Sequence, residues 1–150
     1  MKTALPLPEV YALLEPGPVL LLSTAHRGQR NVMTMSWHSM LEFEPPLVGC
    51  VVSDRSLSHR LLRASGEGVL NIPTEKIADK VAAPLLDACF ASLECKVVDT
   101  GMVRKYAFFV LEVVAAWADP KVKNPRTLHH RGFGNFMVAG KTIRLPSEMR

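Results

Sequence analysis

Cysteine is scarce and unpaired in this sequence. Cys50, Cys89 and Cys95 form no CxxC pair, and an odd count of three rules out a fully bridged disulfide scaffold. They read as buried thiols in a reducing, cytoplasmic protein. Membrane-length hydrophobic runs are missing as well: the longest, AFFVLEVVAAWA at 107–118, is broken by Glu112 and is strand-like in its β-branched content. The start, MKTALPLPEV, has no apolar stretch of signal-peptide length. No GxSxG, Walker, GxGxxG or HExxH pattern occurs, so familiar signatures of hydrolases, nucleotidases, dinucleotide-binding folds and zinc proteases are absent. Nor is there a dense basic stripe interleaved with aromatics. The net charge of +4 is spread along the chain with some concentration after Lys121, which argues against a nucleic-acid partner and suits a local anion site for a phosphate-bearing cofactor.

What is present is a chain of 150 residues, 48% hydrophobic, enough for one domain over 1–150 with a core of its own. Residues 8–15 (PEVYALLE) suit a short helix with Pro8 in its first turn, and residues 18–25 (PVLLLSTA) an apolar strand. The Gly-containing AHRGQR turns the chain into a return strand, NVMTMSW at 31–37. A loop bearing FEPPL precedes a buried strand at 47–53 (LVGCVVS). A capped helix is expected over 56–66, with Leu57, Leu61 and Leu62 on one face and Gly66 at its end. A short strand (GVLNIP, 68–73) and a second capped helix (TEKIADKV, 74–81) follow. Two long strands, 92–103 and 105–119, pair as an antiparallel hairpin; a loop over 119–135 leads to a last strand at 136–145. Strands dominate, so the fold expected is mainly β: a Greek-key-like antiparallel barrel with short helices.

Two tracts carry candidate chemistry. NVMTMSWH alternates Val32, Thr34 and Ser36 with Met33, Met35 and Trp37, a mixture poorly suited to a plain core strand. VSDRSLSHR delivers Ser53, Asp54, Arg55, Ser56, Ser58 and His59 to a strand end and a helix N-terminus. Taken alone, that tract favours simple capping by Ser56 with an exposed Arg55 over phosphate binding; beside NVMTMSWH, an anion site and a flat wall facing one pocket becomes the better account. Adjacent His129 and His130 point to opposite sides of an extended chain, and no other ligand sits at metal spacing, so no metal is expected. Their tract, HHRGFG, suits a basic surface loop and a loop closing over a ligand about equally well. Cys50 lies mid-strand among aliphatic residues and reads as inert. Glu42 and Glu44 share a face but are flanked by prolines and read as solvated. Protein-supplied nucleophile chemistry thus has little support, which favours a borrowed cofactor.

In this order the motifs RGQRNVMTMSWHSMLEFEPPLVGCVVSDRSLSHRLLRASGEGVLNIPT, APLLDACFASLECKVVDT, FFVLEVVAAW and LHHRGFGNFMVAG resemble the flavin reductase-like, FMN-binding split-barrel family, which includes flavoredoxins. The resemblance spans nearly the whole chain. It implies a homodimer holding FMN, with FAD the larger alternative. Asn31, Met33, Thr34, Ser36 and Trp37 would line ring and ribityl chain, and Ser53, Arg55, Ser56, Ser58 and His59 the phosphate side. Asn71 would be a further contact. His129 or His130 would stand near the flavin or a nicotinamide, in a catalytic role. The activity implied passes electrons from NAD(P)H through flavin to an acceptor, a partner protein among the choices. The alternatives are a flavoredoxin-like carrier without NAD(P)H activity, and a barrel that binds a ligand or partner without redox turnover. One departure stands out. Between Val81 and Ala82 the family has a longer segment rich in Gly, Ser and Asp that packs by the flavin; the join VAAPLL reads as the point where such a segment, omitted from these residues, would resume. A chain truly without it would have an open pocket, weaker cofactor retention and poorer pyridine-nucleotide recognition.

Overall fold

A computed structural model describes residues 2–14, 17–76 and 86–146. Its framework is one antiparallel sheet. Strand β1 (Thr3–Ala4) pairs with the end of β8; β2 (Leu20–His26) and β3 (Gln29–Met35) form a hairpin; β4 (His38–Phe43) and β5 (Pro46–Val51) form a second; β6 (Glu67–Ile72), β7 (Ala91–Asp99) and β8 (Phe108–Ala118) complete the order β3-β2-β6-β7-β8-β5-β4. Three successive strands, β6 to β8, with β5 returning beside β8, make the Greek key expected from the sequence. Both outer strands of the path, β3 and β4, belong to one continuous stretch of chain, so the sheet curls until its edges meet at Ser36 and Trp37. His38 stitches that seam through a 2.7 Å bond between its Nε2 and the Pro18 carbonyl.

Local chemistry sets these elements. Arg27 and Gly28 both have positive φ, 45° and 83°, the twist a two-residue hairpin needs, and the register closes on His26 opposite Gln29. Helix α1 (Tyr11–Leu14) follows a single 3₁₀ turn at Leu7–Glu9, and its Leu14 lies in the core. Helix α2 (Leu57–Ser65) starts at Ser56 and ends at Gly66 in the left-handed region, as expected, and it buries Leu61 and Leu62. Inside the barrel Leu20, Leu22, Val48, Leu70, Leu93 and Phe109 pack as one cluster.

The loop expected around FEPPL is instead the tight turn of the β4–β5 hairpin, with a cis Glu44–Pro45 bond. Pro46 is tolerated because it opens its strand. The long strand expected to reach Val103 stops at Asp99, whose Oδ1 accepts the Gly101 N–H at 2.6 Å and turns the chain into the helical turn α3 (Val103–Tyr106). His129 and His130, expected in a loop, lie on β9 (Leu128–His130), paired with β10 (Phe136–Val138). That pairing is all that forms of the last strand expected over 136–145. Of the helix expected at 74–81, Thr74 bridges to Thr127, and residues 77–81 lie outside the described residues. Among the described residues no helix is long and apolar enough to cross a membrane.

Candidate functional site

Residues opposite one another in the β2–β3 hairpin share a face, and this decides which part of NVMTMSWH can meet a ligand. Met33 faces the same way as Leu22, and Met35 as Leu20, so both thioethers pack with the barrel core. Val32 and Thr34 go to the outside with Ser23 and Leu21. Met33, expected beside Thr34 on the ring wall, is therefore turned away from it. Trp37 is 71% exposed beyond the strand end, with Ser36 half-buried before it. β3 is also the last strand of the sheet. The two-residue turn commits the peptide groups of Asn31, Met33 and Met35 to β2, so the N–H and C=O of Val32 and Thr34 point to the free edge.

The N-terminus of α2 comes alongside that edge. Ser56 caps it: its Oγ accepts the His59 N–H at 3.1 Å and donates to the Ser53 carbonyl at 2.7 Å. The capping reading of this tract is thus realised, and Arg55 is exposed as it requires. An anion site is compatible with it, because the first-turn N–H groups of Leu57 and Ser58 have no carbonyl ahead of them in the helix. Ser53 and Arg55 stand at the surface beside those donors. Ser58 does not: it is wholly buried, and its Oγ accepts from Asn31 Nδ2 at 2.9 Å and from Thr24 Oγ1 at 3.3 Å. His59 is 6% exposed, its ring edge-on to Phe109 at 5.2 Å, and its Nε2 has no hydrogen-bond partner. Burial lowers the His59 pKa, Asp54 draws it back up and Arg63 pushes it further down.

A cleft of about 970 Å³ opens across the outer faces of β2, β6 and β7, and Asn31 and Asn71 belong to its lining. Sequence reasoning missed this face, although its signal was there: Ser92, Glu94 and Lys96 alternate along SLECK. Asn71 forms the floor, 1% exposed, with its amide donating to the Leu21 carbonyl at 3.0 Å and Ser23 Oγ at 2.9 Å. Its Oδ1 accepts from Ser92 Oγ at 2.9 Å, and Ser92 accepts from Lys2 Nζ at 2.7 Å. Trp117 Nε1 donates to Glu94 Oε1 at 2.8 Å, which fixes the indole on the same face. Asn71 is thus saturated by its own strands.

His129 and His130 do point to opposite sides of β9. His129 Nε2 lies 3.1 Å from Thr127 Oγ1, and the exposed His130 ring tilts against Phe136 at 5.2 Å. The hairpin is anchored where Val19 N–H donates to the Leu128 carbonyl, at the Trp37 end of β3, whereas α2 meets the Asn31 end. The cysteines are free and buried; burial raises the Cys50 thiol to about 12 and that of Cys89 to about 11, and pushes Cys95 up as well. None is a ready nucleophile at neutral pH.

Comparison with known proteins places this geometry. The family described as the flavin reductase like domain matches residues 13–83 and 73–137. An FMN-binding domain of a flavin reductases-like enzyme from Shewanella baltica superposes with a TM-score of 0.85 at 26% identity, covering 97% of this chain and 98% of that one. A flavoredoxin from Methanosarcina acetivorans shares the fold at a TM-score of 0.69 and 21% identity, covering 87% of this chain and 89% of that one. The uncharacterised protein YddH of Escherichia coli is 27% identical over 172 aligned positions, with 87% of this chain and 91% of YddH covered. That alignment is longer than the 150-residue chain, so YddH has residues with no counterpart here, and the two family matches meet at 73–83. By fold and by sequence, the chain belongs to the flavin reductase-like family.

Proposed function

We propose that this protein is a cytoplasmic, homodimeric FMN-binding oxidoreductase that passes electrons from NAD(P)H through flavin to an acceptor. The observation that carries the reading is the free edge of β3 running past the capped N-terminus of α2, the two joined by the Asn31–Ser58 hydrogen bond.

The residues present fit FMN. A flavin's pyrimidine edge needs a donor and an acceptor, and the outward N–H and C=O of Val32 and Thr34 supply both. A phosphate monoester needs charge and directed N–H groups, and Arg55 with the first turn of α2 supplies them. Trp37 offers apolar surface. These groups would hold the cofactor, with Ser36 and Ser53 as neighbouring hydroxyls. Bound flavin supplies hydride acceptance and onward transfer of one or two electrons. The chain's own part is to bind, orient and shield. His130, exposed at the Trp37 end, is positioned to meet a second substrate there, and half-buried His129 is held by Thr127. The dimer is supported by the cleft face, where Val114 and Trp117 are each 40% exposed around a buried polar floor. Three free thiols support the cytoplasmic setting.

A second reading, a flavoredoxin-like carrier without NAD(P)H activity, is favoured by one observation: the alignment with YddH is longer than this chain, so that relative carries residues with no counterpart here. The visible spectrum separates the readings. A yellow protein bleached anaerobically by NADH or NADPH supports the first, and a yellow protein indifferent to both supports the second. A preparation that stays colourless with added FMN sinks both, leaving a barrel that binds another ligand.

A further inference from the structure

We propose that Ser58 is a positioning residue: its side chain fixes the Asn31 amide so that Oδ1 is offered as an acceptor to a hydroxyl or N–H of the bound cofactor. This rests on the FMN-binding reading and changes the role expected of Ser58, from a phosphate contact to a buried hub.

The geometry argues for it in three steps. Ser58 is fully buried, so its hydroxyl cannot reach a ligand at the surface, yet it accepts from two donors on neighbouring strands, Asn31 Nδ2 at 2.9 Å and Thr24 Oγ1 at 3.3 Å. An amide whose nitrogen is committed has a defined orientation, because exchanging N for O would set two acceptors facing each other unless the serine turned its own proton round. Thr24 donates to the same oxygen, so Ser58 Oγ is the acceptor shared by the two strands. Asn31 is half-buried, shares the face of Thr24 and Met33, and has no hydrogen-bond partner for Oδ1 among the described residues. The free acceptor therefore sits where the end of β3 meets the first turn of α2.

Ser58 occupies that point for a reason of helix geometry. Its peptide N–H is one of the two uncommitted first-turn donors of α2, while its side chain holds Asn31. A single residue thus couples the anion-facing helix end to the strand that faces the ring.

The test is a double-mutant cycle using Ser58→Thr and Ser58→Val, which share a shape and differ in the hydroxyl, each made with Asn31 intact and with Asn31→Ala. FMN affinity is read by fluorescence titration. With Asn31 present, the Val variant is expected to bind about tenfold more weakly than the Thr variant, and in the Asn31→Ala background the two should bind alike. Equal affinities with Asn31 intact, or the same gap in both backgrounds, would overturn the proposal. The side-chain amide resonances of Asn31 give a cofactor-free readout: slowed exchange in wild type and the Thr variant, and exchange typical of a free amide in the Val variant. Unchanged amide behaviour across the series would also overturn it. Should wild type fail to bind FMN, the functional reading falls while these resonances still decide whether Ser58 orients Asn31. If the substituted proteins fail to fold, the wild-type Asn31 amide decides: protected exchange sustains the assignment and unprotected exchange ends it.

Discussion

Arg55→Ala isolates the phosphate side of the proposed site. The guanidinium is exposed, has no hydrogen-bond or ion-pair partner among the described residues, and stands one residue ahead of the Ser56 cap, so removing it leaves the packing of α2 intact. A charge-assisted bond to phosphate contributes roughly 1.5 to 3 kcal/mol when shielded, and solvent exposure reduces that to about 1 to 2 kcal/mol. A tenfold change corresponds to about 1.4 kcal/mol, so the FMN dissociation constant should rise about fivefold to thirtyfold. Riboflavin, which lacks the phosphate, provides the control: its affinity should be the same for wild type and variant. The difference between the two ligands should shrink with added salt, because the contact is exposed. Fluorescence titration with both flavins at low and moderate ionic strength measures all of this. If Arg55→Ala weakens riboflavin as much as FMN, or weakens neither, Arg55 does not meet the phosphate and the ligand lies elsewhere.

Ser56→Ala removes the bond to the His59 N–H and should lower unfolding stability by about 0.5 to 2 kcal/mol, measured by urea denaturation, since a helix cap is lost along with the tie to Ser53. His38 is half-buried at the barrel seam; desolvation holds its pKa below the usual 6.5 and the Pro18 carbonyl raises it only partly. Its contribution to stability is therefore complete above pH 6.5 and is lost as pH falls towards the lower folded value, so the slope of stability between pH 7 and 5 should flatten in His38→Gln, with His59 accounting for part of what is left. The three thiols should resist iodoacetamide at pH 7.5 in the native protein and react fully in guanidinium; native labelling of Cys50 would contradict its burial.

The barrel was legible because its signals are local and repeated. Short apolar runs define β2, β5 and β8, the Arg27–Gly28 turn sets a hairpin, and Ser56 and Gly66 bracket a helix. Where the reading failed, a side chain or a partner strand had taken over the backbone's choice. Asp99 ended β7 by accepting an N–H two residues on. The prolines of FEPPL looked like a loop because β4 has little alternation of its own and depends on β5 for its pairing. The site was half legible for the same reason. Period two shows that Met33 and Thr34 lie on opposite faces, but which face is the inside depends on Leu22, eleven positions away and across a turn.

Under the proposed function, the same logic explains why a mixed strand such as NVMTMSWH suits an edge beside a ligand. A strand at the end of a sheet must satisfy the core with one face and leave unpaired peptide groups on its rim, which ordinarily invites another strand to pair there. Here the methionines fill the barrel, and the rim lies next to a helix end that carries donors and a cation. Another chain could satisfy the peptide groups of Val32 and Thr34, but it would leave Arg55 and the first turn of α2 without an anion. A flat molecule with a polar edge and a charged tail satisfies both at once. The sequence feature that looked least like a good strand is therefore the one whose faces are most fully accounted for, provided the ligand carries its phosphate at the α2 end.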